Sequence, residues 1–142
     1  MQPITVSIVD RDPSGRMACK RLLRHIPGIR VVSGVAGQQD VVPKTLEIKP
    51  RILLCSFDLA ADAGYSLLLK LRRECPETLV ILLTDHEVQE DQLIPALFNG
   101  AVGFVTRASL QYQLQRAVRG VDAGEAWVPR KMLGTILADH TG

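Results

Sequence analysis

Apolar positions along the chain gather into five short blocks, each followed by a stretch with helical spacing. Ile4 to Val9 is largely apolar and β-branched, the pattern of a buried strand. Asp12-Pro13 follows it. Asp is a preferred N-cap, and Pro fits the first helical turn, where its missing N–H costs nothing. This predicts a helix to about Ile26, with Met17, Leu22 and Ile26 facing inward and Pro27-Gly28 as the stop. Ile29 to Val35 reads as the second strand. Asp40 is placed to cap the next helix, with Pro43 in its first turn and Leu46 and Ile48 supplying apolar contacts up to Pro50. Arg51 to Phe57 is the third strand. A loop with Asp58, Asp62 and Gly64 leads to a helix from Tyr65 to about Glu74. Thr78 to Leu83 is the fourth strand, and the polar stretch Thr84 to Gln92 runs into a helix ending near Gly100. Val102 to Val105 is a short fifth strand. Leu110, Leu114, Ala117, Val118 and Val121 mark one face of a last long helix, with Gly124 as its C-cap. A short amphipathic piece, Arg130 to Ala138, closes the chain.

Mostly apolar strands alternating with helices imply an α/β fold, a parallel sheet covered on both faces. In such folds ligands sit beyond the C-terminal strand ends. The informative residues are therefore Asp10, Arg11 and Asp12; Ser56, Phe57 and Asp58; Thr84 and Asp85; and Thr106 and Arg107. The chain has 142 residues, 46% of them apolar, enough for one domain with a sizeable core. A net charge of +2 does not mark a nucleic-acid binder. The longest apolar run, Leu79 to Leu83, is far too short to cross a bilayer, and no secretory leader is expected. Three cysteines at unrelated spacings, Cys19, Cys55 and Cys75, argue against a disulfide framework and against a metal knuckle. A cytoplasmic, non-membrane domain is the expectation.

Several of these pieces, in their order, resemble the receiver domain of two-component response regulators over about Ile4 to Val128. They are Val9-Asp10-Arg11-Asp12-Pro13, Lys49-Pro50, Gly64, Leu83-Thr84-Asp85-His86, Gly100-Ala101-Val102-Gly103-Phe104-Val105 and Ala123-Gly124-Glu125-Ala126-Trp127. The resemblance is strongest to receivers that precede a LuxR-type helix-turn-helix. It implies a flavodoxin-like five-stranded parallel sheet in the order 2-1-3-4-5, with helices on both faces. It also divides the chain into a receiver-like domain over 1–127 and a linker helix over 128–142, leading toward an output domain absent from this chain.

In that family two acidic residues after the first strand and an Asp ending the third hold Mg²⁺, a hard cation that takes oxygen ligands. The third Asp accepts a phosphoryl group. A Lys after the fifth strand helps neutralise it, and a Ser or Thr after the fourth hydrogen-bonds it. The family's acceptor lies six residues after the Pro matched by Pro50 and eight before the Gly matched by Gly64. Both spacings land on Ser56. By the same alignment Asp10 keeps the first acidic position, Arg11 replaces the second, Asp12 stands one step beyond, Thr84 keeps the hydroxyl and Arg107 replaces the Lys. Asp10, Arg11, Ser56 and Arg107 sum to +1, or to zero if Asp58 turns inward. The resemblance with these substitutions implies a degenerate pseudo-receiver: no catalytic residue, Mg²⁺ binding lost or weak, and no aspartyl phosphorylation at the Ser56 position.

Arg11 and Arg107 can either hold an anion between strand ends and loop N–H groups or pair with Asp10, Asp12 or Asp58 and close the pocket. Asp58 is a displaced acceptor or a surface carboxylate. Asp62 and Asp85 read as loop residues or caps. Cys55 reads as a small core hydrophobe, and Trp127 as a packing anchor. Arg16, Lys20 and Arg24 form a basic stripe on the first helix, a solvated face or a seat for an acidic partner. Pro95 predicts a fourth helix that starts late, near Gln92, or kinks. The expected function is a non-enzymatic signalling module of a transcription regulator. It would act through protein contacts, as a homodimer and with a sensor kinase or another protein partner. DNA would be reached only through an output domain. The alternative is a sensing domain that holds a small anionic ligand on Arg11, Thr84 and Arg107.

Overall fold

A computed structural model describes residues 2–85 and 88–129. Strands β1 (Ile4–Val9), β2 (Ile29–Val35), β3 (Ile52–Ser56), β4 (Leu79–Thr84) and β5 (Ala101–Thr106) alternate with helices α1 (Pro13–Arg24), α2 (Gln38–Ile48), α3 (Phe57–Glu74), α4 (Glu90–Phe98) and α5 (Leu110–Asp122). All strand pairs are parallel, in the order β2-β1-β3-β4-β5 expected from the resemblance. Within β3 the side chains alternate between two cores. Leu53 and Cys55 face a layer with Val41, Leu59, Leu68 and Leu93 of α2 to α4. Ile52 and Leu54 face a layer with Cys19, Leu23, Leu114 and Val118 of α1 and α5. Burial on both sides is why β3 and β4 carry nearly continuous apolar runs.

Helix α1 starts as anticipated. The Asp12 carboxylate accepts the Ser14 N–H at 3.0 Å, and Pro13 opens the first turn. Its inward stripe is Gly15, Cys19 and Leu23, spaced by four. Met17, expected inside, is 50% exposed, because the Asp12 cap sets a phase that turns it outward. Leu22 and Ile26 are half-buried. In α2 the cap is Gly37 rather than Asp40, which occupies the first turn, where a carboxylate suits the helix dipole. Pro43 therefore falls beyond the first turn, and Val41 and Thr45 carry the burial while Leu46 is exposed.

The third strand is shorter than predicted. Arg51 turns to Asp122 at 3.0 Å, and Phe57 already begins α3. Residues read as loop, including Asp58, make a helical turn before a non-helical stretch at Asp62, Ala63, Gly64 and Tyr65. Helix α4 starts at Glu90, two residues earlier than expected, because Gln89 and Gln92 form a reciprocal capping box. Pro95 sits inside it. Trp127 packs as anticipated: its N–H donates to Val102 O at 3.0 Å, and its carbonyl accepts from Phe104 N–H at 2.8 Å. The predicted helix from Arg130 to Ala138 and His86 lie outside the described residues.

Candidate functional site

The register aligns the C-terminal ends of the central strands. Val9 is level with Cys55, Ser56 with Leu83, and Thr84 with Thr106. The residues that follow, Asp10, Ser56, Thr84 and Arg107, are thereby brought to one edge of the sheet. Asp10, Ser56 and Thr84 are all buried.

Asp10 is the electrostatic centre of this edge. Its Oδ1 accepts the Asp12 N–H at 3.0 Å. Its Oδ2 lies 3.1 Å from Arg107 Nη1. That oxygen has no hydrogen bond of good geometry, so its compensation is coulombic. Arg107 also places Nε 3.5 Å from Asp85 Oδ1, spanning a buried carboxylate and a solvent-facing one. Arg16 Nη1 donates to the Asp10 carbonyl at 2.6 Å and fixes the backbone of the same loop. The Asp10 carboxylate fits only because residue 15 has no side chain. A Cβ there would stand 2.1 Å from Oδ2. Gly15 is the member that sequence reasoning missed, while Arg16 reads from sequence only as part of the basic stripe and Asp85 only as a strand-end loop residue or cap. The signal for Gly15 was a glycine in the first turn of an otherwise well-formed helix.

The remaining candidates do not converge. Arg11 is exposed and points into a groove with Gly37, Gln38 and Gln39 at the start of α2 and Ser66 and Lys70 of α3. The Asp12 side chain is used as the α1 cap. Asp58 is exposed in the first turn of α3. Ser56 holds the N-cap position of α3 without a side-chain cap bond. No carboxylate or imidazole contact to the Ser56 or Thr84 hydroxyl occurs among the described residues. The charged pair at the pocket floor is thus Asp10 with Arg107, and it is neutral.

Two thiols underlie this edge. Burial pushes the Cys19 thiol up to about 11, an effect that the nearby Arg107 charge reduces and the Asp10 carboxylate reinforces. Burial, reinforced by Asp10, pushes Cys55 up to about 12. Both remain protonated core groups at neutral pH.

No helix among the described residues is long and apolar enough to cross a membrane. The chain is 30% identical over 135 residues to the oxygen regulatory protein NreC of Staphylococcus aureus, an alignment covering 93% of this chain and 61% of that protein. It therefore spans about three-fifths of the length of the curated relatives it matches. The fold is that of a LuxR-family two-component response regulator from Aurantimonas sp., with a TM-score of 0.84 at 22% identity over 99% of this chain and 100% of that one. It is also that of RcsB, solved as two dimers bound to two parallel DNAs, with a TM-score of 0.81 at 19% identity over 92% of this chain and 66% of that one. Residues 6–119 match the response regulator receiver domain, and the chain belongs to that family.

Proposed function

We propose that this chain is the receiver module of a LuxR-type transcription regulator whose pocket works without aspartyl phosphorylation. The observation that carries the reading is the Asp10–Arg107 pair at 3.1 Å, beside a buried serine at the position matched to the family's acceptor. Mg²⁺ wants several converging oxygen ligands. Here a single carboxylate is buried at the strand ends, and one of its oxygens faces a guanidinium, so the residues present do not fit the ion. A serine hydroxyl is a weak nucleophile without an adjacent base. Arg107 occupies the space near Asp10 that a ligand cation would need, and it supplies a fixed positive charge there.

In this reading the module is a non-enzymatic, cytoplasmic switch element. Its output is contact with protein partners, among them a second copy and a kinase or other regulator. DNA is reached through a separate output domain, as the LuxR-family resemblance suggests. The anion-sensing alternative is the weaker one, since Arg107 is engaged by Asp10 and Asp85 and Arg11 points away from both.

The test is incubation of the protein with acetyl phosphate and MgCl₂, followed by intact mass measurement and Mg²⁺ titration calorimetry. No phosphoryl adduct and no heat of Mg²⁺ binding are expected. A stable adduct, on Asp58 or in the pocket, would overturn the reading.

A further inference from the structure

The basic stripe of α1 does not end in solvent. Lys20 and Arg24 line a groove of about 430 Å³ whose opposite wall is the outer strand β2, from Ile29 to Gly34. Arg30 of β2 adds a third cation, and among the described residues no carboxylate lines the groove. Lys20, Arg24 and Arg30 have no ion-pair partner among the described residues. The Lys20 side chain lies over Gly34, where an added Cβ would stand 3.2 Å from its Nζ. A positive charge is thereby held directly above the strand.

Strand β2 is an edge of the sheet, paired with β1 alone. An edge strand presents outward N–H and C=O groups to any strand that can lie beside it. Val31 and Val32 beside the groove are only half-buried and offer apolar contact. The register break between Val6 and Ser7 leaves Val32 unpaired, which restricts continuous pairing to a short segment.

We propose that the α1–β2 groove is a docking edge for a short, extended, acidic polypeptide segment of a partner protein. Such a segment adds a strand to β2, with carboxylates toward Lys20, Arg24 and Arg30 and small apolar side chains toward the valines. The recognition mode is strand addition, in which main-chain hydrogen bonds give affinity and alternate side chains give selectivity. The three cations also reject a second copy of this same edge, which carries like charge, and so favour an acidic partner over self-association. A nucleic acid answers the charge but leaves the outward backbone groups and valines unused. This inference does not depend on the state of the Asp10 pocket.

The test uses the full chain labelled with ¹⁵N and an acetylated, amidated heptapeptide alternating Glu and Val, at low salt. A Lys-for-Glu peptide and a single-stranded oligothymidine serve as controls. The expected result is binding of the acidic peptide, with amide shifts and slowed hydrogen exchange confined to β2 and the facing side of α1. Lys20→Glu/Arg24→Glu is expected to weaken binding at least tenfold, and the milder Arg24→Gln/Arg30→Gln about threefold, with circular dichroism unchanged in the second. The proposal is overturned if the acidic peptide does not bind, if the basic peptide binds equally well, or if the oligothymidine binds at these cations while β2 exchange stays unchanged.

Discussion

At the scale of single residues, the site is organised by one small side chain and one charge pair. Gly15 gives the Asp10 carboxylate its place against α1. An alanine there would gain about 1 kcal/mol of helix propensity. It would also force Oδ2 away from Arg107, since its Cβ would stand 2.1 Å from that oxygen. Gly15→Ala is therefore expected to destabilise the domain by about 1–3 kcal/mol, the usual cost of overpacking, as measured by urea unfolding. A gain in stability would show that the carboxylate has another resting place. The thiols give a second prediction. The unfolded chain releases the Cys19 and Cys55 protons near 9.0, whereas the folded chain holds them to about 11 and 12. The unfolded state then binds fewer protons, so this contribution is intact below pH 9 and is lost as pH rises through about 11 for Cys19 and about 12 for Cys55. The urea midpoint should fall as pH rises above 9, and less so in Cys19→Ala/Cys55→Ala. Both thiols should resist iodoacetamide in the folded protein at pH 8.

Much of the pocket could be read from residue types and spacing. Asp10, Ser56, Thr84 and Arg107 all sit at strand ends, and a strand end is a position that apolar runs reveal. Arg11 and Asp58 could not be placed the same way. Each lies two residues past a strand, where a small change of backbone direction decides between pocket and solvent.

At the scale of elements, the parallel strands were legible because both faces are buried and the apolar runs are unbroken. Helix starts were less so. The sequence points to Asp40 as a cap, where the structure uses Gly37, and to Asp58 as loop. In α3 the run from Asp58 reads as a connection because Asp58, Asp62 and Gly64 are turn formers. The structure instead uses a helical turn, then breaks it at a cluster of left-handed residues. Ala63 has φ 52° and Tyr65 has φ 65°, on either side of Gly64. Tyr65 is held there by its hydroxyl, which donates to Gln92 O at 2.8 Å, and by edge contact with Phe57 at 6.4 Å. Among the described residues nothing comparable holds Ala63, whose side chain suffers about 1–2 kcal/mol in this conformation. Ala63→Gly is expected to raise stability by up to about 1 kcal/mol, after the greater freedom of glycine in the unfolded chain is deducted. A lower melting temperature for this variant would contradict the assignment.

At the scale of the whole molecule, net charge is a poor guide and its distribution a good one. A value of +2 conceals a neutral pocket floor and an unpaired basic groove at the far edge of the sheet. The Asp10–Arg107 contact also joins the first strand to the turn after the last one. That linkage has a kinetic consequence. The two side chains are distant in sequence, so the contact closes a long loop and is expected late in folding. Arg107 is a third exposed, so its removal is expected to cost about 2 kcal/mol, less than the loss of a fully buried pair. If the contact forms after the barrier, nearly all of that loss falls on the unfolding limb of the chevron. Stopped-flow measurements on Arg107→Ala should show unfolding faster by roughly thirtyfold and refolding almost unchanged. The pair would then act as a latch on lifetime, setting how long the native state persists rather than how readily it is reached.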